Sequence, residues 1–283
     1  MKLVMTLLVR DEQDILRANI DHHLAQGVDF IIATDNRSVD GTEEILREFE
    51  SKGLLRYIFE ESDDYNQHAW VTRMARMAKV EYGADWVINN DADEFWWPLE
   101  GNLKETFERV HWAVNVIQAD RHNFVAMEES DAPFWDRMRY RERKSLNALG
   151  VPLPPKAAHR GSATVLVDQG NHSVRAMEEG VHLAQGSIEI LHYPIRNYRQ
   201  IENKIAKGGA AYQRNQELPE STGMTWRKLY EDLQRDSNLS GYFDDNFYDE
   251  ARIASELGSG EIVLDERLFY YLSALQFGRS NPA

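Results

Sequence analysis

Apolar and polar positions alternate in blocks along the first half of the chain. Leu3 to Val9 is an unbroken apolar run, which predicts a buried strand. Ile15, Leu16, Asn19, Ile20, His23 and Leu24 then recur on one face of a helix from Glu12 to Gln26, closed by Gly27. Asp29 to Ala33 reads as a second strand. Asp40, with Glu43 three residues on, has the form of an N-cap and capping box for a helix through Ile45, Leu46 and Phe49 that stops at Gly53. Leu54 to Phe59 is a third strand, and Trp70, Met74, Met77 and Ala78 mark a third helix ending near Gly83. Trp86 to Asn90 is a fourth strand that runs straight into Asp91-Ala92-Asp93-Glu94. Strand–helix units joined this tightly predict an α/β fold: a Rossmann-like, mostly parallel sheet flanked by helices. Ligands of such sheets bind beyond the carboxyl ends of the strands. Three segments leave strands at that edge: Arg10-Asp11-Glu12, Asp35 to Asp40, and Asp91 to Glu94.

The second half is less regular. Ala113 to Ala119, Ser162 to Asp168 and Ser187 to Tyr193 have strand character. Residues 128–160 are rich in charge and proline and read as a long excursion. Tyr198 to Tyr212 is amphipathic and helical, with Gly208-Gly209 expected to loosen its end. From about Ser221 the chain has helical stretches and no repeat. The expected division is a main domain over 1–215 and an irregular, helical C-terminal extension over 216–283.

Composition narrows the chemistry. Forty-seven acidic against 32 basic residues give a net charge of −15, which argues against a nucleic-acid partner. The absence of cysteine excludes disulfides, zinc–thiolate sites and thiol nucleophiles. No run approaches the roughly 20 apolar residues of a membrane span, and Met1 to Val9 is too short for a signal segment. A cytoplasmic chain is expected, with attachment to the inner face of a membrane left open.

Asp91-Ala92-Asp93 is the strongest chemical feature. Residues i and i+2 of extended chain point to one side, so continued extension would bring the two carboxylates together. Converging carboxylates call for a cation, and a hard divalent ion shared with phosphates is the usual partner. A solvated acidic turn is the plainer alternative. Asp35 is placed to accept hydrogen bonds from a nucleobase or ribose, whereas Asp40 is as well explained as a helix cap. His192 ends a strand before Tyr193-Pro194 and could ligate the same ion; His172 is a second candidate. Lys204, with Arg196 and Lys207, supplies positive charge for a diphosphate leaving group. Glu94, Glu179 and Asp120 are the acids available as a base, although alternation points Glu94 away from Asp93. Trp96, Trp97, Trp112, Phe124, Phe134 and Trp135 offer flat faces for a sugar or, equally, core.

Asp35 to Thr42 resembles the Asp-Asp-Gly-Ser-x-Asp-Gly-Thr segment of family 2 glycosyltransferases, with Asn36 and Arg37 as departures. Arg10-Asp-Glu, Gly27-Val-Asp, Asp91-Ala-Asp93-Glu-Phe95 and His192-Tyr-Pro-x-Arg196 follow in the order of the branch with an Asp-x-Asp-Glu-Phe motif. The resemblance covers roughly residues 1–215. It implies a GT-A fold, a nucleotide diphosphate-sugar donor (UDP-sugar favoured), Mn²⁺ or Mg²⁺, and inverting transfer of one sugar to a hydroxyl acceptor, a glycan or lipid-linked saccharide. On that reading Arg10, Glu12, Asp35, Asn36, Asp40, Asp91 and Lys204 line the donor, while Asp91, Asp93 and His192 hold the metal. The Gln-x-x-Arg-Trp motif of membrane-embedded polymerising relatives is not found, which argues against a processive synthase. Two alternatives belong to other classes. A sugar-phosphate nucleotidyltransferase would need a Gly-rich phosphate loop after the first strand, where Arg10-Asp11-Glu12 stands. A non-catalytic sugar- or nucleotide-binding assembly protein would not need Asp91, Asp93 and His192 together.

Overall fold

The computed structural model describes residues 1–64, 66–216, 218–219 and 221–280. Its elements run β1 Leu3–Val9, α1 Gln13–Ala25, β2 Phe30–Asp35, α2 Thr42–Ser51, β3 Leu55–Phe59, α3 Gln67–Val80, β4 Trp86–Asp91, β5 Glu94–Pro98 and α4 Leu103–Glu108. They continue with β6 Val116–Asn123, β7 Ala126–Met127, α5 Phe134–Arg137, β8 Tyr140–Glu142, β9 Lys156–Arg160, β10 Leu166–Val167, β11 Val174–Arg175 and β12 Leu183–His192. The chain closes with α6 Tyr198–Arg214, α7 Met224–Asp236, α8 Ser240–Asn246, β13 Phe247–Tyr248, α9 Glu250–Ser259, β14 Ile262–Leu264 and α10 Arg267–Ser280.

The expected α/β class holds. Eight strands form one sheet in the order β3-β2-β1-β4-β9-β6-β12-β5. The first four are parallel, as the strand–helix alternation requires, and β9 pairs antiparallel with both β4 and β6. The register sets Val9 beside Asp35 and Leu8 beside Asp91, so β1 ends between the two acids. Beneath the parallel strands, Val4, Ile32 and Val87 pack on Trp70, Val71 and Met74 of α3. Such aliphatic runs tolerate burial because every backbone group is paired within the ladder.

The chain divides into two compact units. The first comprises Met1–Arg121, Pro154–Leu191 and Arg214–Thr222; the second comprises His122–Leu153, His192–Gln213 and Gly223–Ala283. The boundary expected at 215 and 216 falls inside the short Arg214–Thr222 segment of the first unit. The second unit holds two small sheets, β13 with β7 and β14 with β8, and an apolar cluster of Ala126, Ile195, Ile201, Ile205, Leu229 and Leu239. Its helix α6 runs on through Gly208 and Gly209 to Arg214 rather than loosening there. The glycines serve close packing: a Cβ at Gly209 would lie 2.3 Å from Tyr230 Cβ, and one at Gly208 2.5 Å from the Trp226 ring.

Several expectations change. Helix α2 starts at Thr42 with Gly41 as its cap residue, so Asp40 and Glu43 form no capping box. Of the strand expected over Ser162 to Asp168, only Leu166–Val167 forms. The 128–160 excursion contains two short segments, α5 and β8, before the buried β9 begins at Lys156. Phe95 and Trp96 are core at 0% exposure, whereas Trp112 is 80% exposed.

Candidate active site

The tip of β4 carries the densest charge chemistry. Ala92 and Asp93 form a two-residue turn between β4 and β5, so the strand alternation stops at Asp91. Two expectations change as a result. Glu94 does not point away from Asp93: both are buried, and a carboxylate oxygen of each lies within 4.8 Å of the other. Asp91 is engaged elsewhere, accepting hydrogen bonds from Lys156 Nζ, from Gln67 Nε2 at 3.2 Å and from Asn171 Nδ2 at 3.1 Å. Lys156 Nζ also pairs with Glu94 Oε1 at 3.1 Å, and Arg121 Nη1 reaches the same oxygen at 3.4 Å. Glu94 Oε2 is buried without a hydrogen-bond partner among the described residues. Burial pushes the Glu94 carboxyl up to about 7; Lys156 and Arg121 oppose this, while Asp91 and Asp93 add to it.

Lys156, Arg121, Gln67 and Asn171 were not singled out from sequence. Lys156 opens a strand of composition Lys-Ala-Ala-His-Arg, which carries little β signal. A buried lysine shows only as a partner for acids some 60 residues away. Asn19 was legible in part, as a polar residue on the apolar face of α1. Its Nδ2 donates to the carbonyls of Ala92 and Glu94 at 2.9 and 2.8 Å, and its Oδ1 accepts from Asn90 Nδ2 at 3.0 Å. His22 Nε2 donates to Trp96 O at 2.9 Å, and Trp96 N donates to His23 Nε2 at 3.3 Å. The polar stripe of α1 therefore holds the backbone of the acidic turn and β5.

The tip of β2 is built differently. Asp35 is buried and accepts from Ser38 N at 3.0 Å and Tyr57 OH at 3.4 Å; burial raises its pKa. Asn36 Nδ2 donates to the carbonyls of Glu60 and Ser62, and its Oδ1 accepts from Arg10 Nη1 at 3.4 Å. Arg10 also pairs with Asp63 at 2.6 Å, and Asp63 accepts from Arg214 Nη2 at 2.7 Å. Burial opposes the charged form of Asp63, but Arg10, Arg214 and Arg37 hold its pKa below the usual carboxylate range. Glu12 is the cap residue of α1, and its N–H donates to Thr42 Oγ1 at 2.9 Å. The Asp40 carboxylate accepts from Thr42 N at 2.9 Å and Gln13 N at 3.1 Å, tying the start of α2 to that of α1.

The loop that carries Glu179 lies at the other end of β4 from the acidic turn. Because β9 is antiparallel to β4, Arg160 lies opposite Trp86 and the chain beyond it leaves at the amino end of β4. Glu178 bonds there to Ser162 and Thr164, and Asn115 Nδ2 donates to Gly180 O at 2.7 Å. Five strand steps of about 3.3 Å each separate Trp86 at that end from Asp91. His172 donates from Nδ1 to Pro155 O at 3.0 Å, and burial, with Lys156 and Arg121 nearby, lowers its pKa to about 3. His192, the last residue of β12, and Lys204, on α6, belong to the second unit.

Residues 4–237 match glycosyltransferase family 92. The chain belongs to that family. Its number is 92 rather than the family 2 that the motifs resemble, and its reaction class is glycosyl transfer. Nothing among curated proteins matches the sequence. Among solved structures, that of S. aureus TarS 1-349 in complex with UDP is similar at 11% identity over 86% of this chain and 74% of that one, with a TM-score of 0.45. S. aureus TarS itself is 13% identical over 97% of this chain and 53% of that one, also at 0.45. Glucosyl-3-phosphoglycerate synthase from Mycobacterium tuberculosis in complex with Mg²⁺ and UDP is 16% identical over 42% and 43%, at 0.32. Among the described residues, no helix of the family 92 chain is long and apolar enough to cross a membrane.

Proposed function

We propose that this family 92 chain transfers one sugar from a nucleoside diphosphate donor to a hydroxyl acceptor with a divalent cation, Mn²⁺ or Mg²⁺, at the tip of β4. The observation that carries the reading is the buried acidic pair, Asp93 and Glu94, with Glu94 Oε2 lacking a hydrogen-bond partner among the described residues. A buried carboxylate oxygen without a partner is costly. Hard oxygen donors in this setting fit Mn²⁺ or Mg²⁺. In the proposal Asp93 and Glu94 hold the ion, and Glu94 is assigned there rather than to the base. His192 is the nitrogen donor that the family resemblance implies. Asp91, already engaged by Lys156, Gln67 and Asn171, orients the turn and borders the donor rather than ligating the cation.

When bound, the ion would offset the negative charge that builds on the departing diphosphate. This chain's residues do the rest. Asp35, Asn36 and Arg10 at the tip of β2 border the base and ribose. Lys156 and Arg121 keep three neighbouring acids compatible with burial. Transfer is a single displacement: the acceptor oxygen bonds to the anomeric carbon, the bond to the diphosphate oxygen breaks, and the hydroxyl proton passes to a base. The acceptor, a glycan or lipid-linked saccharide, would be approached from a cytoplasmic location.

Calorimetry tests the proposal. UDP is expected to bind at least about tenfold more tightly with Mn²⁺ than without it, a difference of about 1.4 kcal/mol. Asp93→Asn is expected to abolish that difference. Equal affinity in the presence and absence of metal would overturn the metal-bridged reading. Release of nucleotide from UDP- and GDP-sugars separates a catalyst from a binder.

A further inference from the structure

We propose that Asn123 and Glu142 fix the tautomer of His192, placing the ring proton on Nδ1 and leaving Nε2 as the lone-pair nitrogen. All three residues belong to the second unit. The Asn123 amide has one orientation that satisfies its neighbours. Its Nδ2 donates to the Leu146 carbonyl at 3.1 Å and to Glu142 Oε2 at 3.1 Å. A backbone carbonyl only accepts, so the nitrogen must lie on that side whatever the protonation of Glu142. The oxygen Oδ1 is thereby turned to His192 Nδ1, at 2.8 Å. An amide oxygen also only accepts, so Nδ1 carries the hydrogen. A neutral imidazole has one N–H, and Nε2 is then the acceptor atom.

The backbone holds this arrangement in place. Asn123 N donates to Ser145 Oγ at 2.8 Å, and Phe124 N donates to His192 O at 2.8 Å. Asn123 and His192 are each 9% exposed, so solvent competes weakly for the contact. A carboxylate–amide–imidazole chain of this kind does for a ligating histidine what outer partners do in metal sites, setting the ring's orientation and the atom it offers. Asn123 and Glu142 are positioning residues, because they act through His192. The tautomer follows from these contacts alone; its use in holding a cation rests on the proposed metal-dependent transfer.

Nitrogen-15 spectroscopy of the full chain without metal, at pH 8, reads the tautomer directly. Among the nine histidines, the His192 signals are those lost in His192→Gln. The expected pattern is a protonated Nδ1 and an unprotonated Nε2. Asn123→Leu removes the acceptor and is expected to move the ring toward the other tautomer, whereas Asn123→Asp keeps an acceptor and the original pattern. A proton on Nε2 in the native chain, or an unchanged pattern in a folded Asn123→Leu variant, would overturn the proposal. If Asn123→Leu does not fold, the native spectrum decides by itself. Titration with Mn²⁺ alone, followed by electron paramagnetic resonance, tests the use: Asn123→Leu should weaken binding about 10- to 100-fold, and Asn123→Asp should restore it. An Nδ1 proton together with Mn²⁺ affinity indifferent to Asn123→Leu would uphold the tautomer and overturn His192 as a cation donor.

Discussion

The tips of β2 and β4 flank the end of β1 and carry similar short acidic motifs, yet they use their acids in opposite ways. At β2 the polar residues mostly hold backbone groups. Asp35 accepts from Ser38 N, Asp40 from Thr42 N, and Asn36 holds the carbonyls of Glu60 and Ser62. At β4 the acids meet side chains brought from afar: Lys156, Arg121, Gln67 and Asn171. The first motif encodes the shape of a turn, and the second encodes a charge that only tertiary structure completes. A short acidic string at a strand end can therefore mean geometry or chemistry, and its partners tell which.

Removing the distant cation should damage the β4 tip most. Lys156→Met keeps the volume but leaves Asp91 and Glu94 without their shared ammonium. Breaking a buried pair on one side costs about 3–5 kcal/mol, to be read as a fall in the urea midpoint. A loss under about 1 kcal/mol would mean that the acids are solvated and the contrast with β2 is false.

Acid should act on the same region next. His22, which holds Trp96 beyond the acidic turn, is fully buried and its pKa is lowered by burial to about 4 from 6.5. Above pH 6.5 neither the folded nor the unfolded chain protonates it. Between 6.5 and about 4 only the unfolded chain does, so stability falls as pH falls through that window. The slope is up to about 1.4 kcal/mol per pH unit from this group, and His22→Gln should flatten it. A denaturation series unchanged by that substitution would remove His22 from the support of β5.

The smallest effect belongs to β2. Asp40→Ala removes a carboxylate that tethers two helix starts and should cost about 1 kcal/mol, with UDP affinity unchanged in calorimetry. A large loss of affinity would return Asp40 to the ligand and narrow the difference between the two tips.

The same division explains what the sequence made legible. Strands β1 to β4 and the acidic turn were readable because their signals are local: apolar runs, helical spacing and glycine stops. The family-level reading of glycosyl transfer rested on those segments and holds. The pairing of Asp93 with Glu94 was not readable, because alternation fails once a turn replaces the strand at Ala92. Lys156 was hidden in a proline-rich stretch whose role depends on an antiparallel partner. The position of the loop that carries Glu179 was unreadable for the same reason, since only the direction of β9 decides the end of β4 at which that loop emerges.

The order of the sheet has one more consequence. Strands β4 and β5 are joined by two residues, yet three other strands stand between them. Laid flat, four spacings of about 4.8 Å would part them by roughly 19 Å. The three Cα steps from Asp91 to Glu94 span at most about 11 Å. The sheet must roll until its far edge returns to the tip of β4, with the acidic turn as the clasp across the gap. Charge at that clasp thus bears on closure as well as on chemistry: weakening the grip of Lys156 or Asn19 there would slacken the whole roll before it altered any one strand.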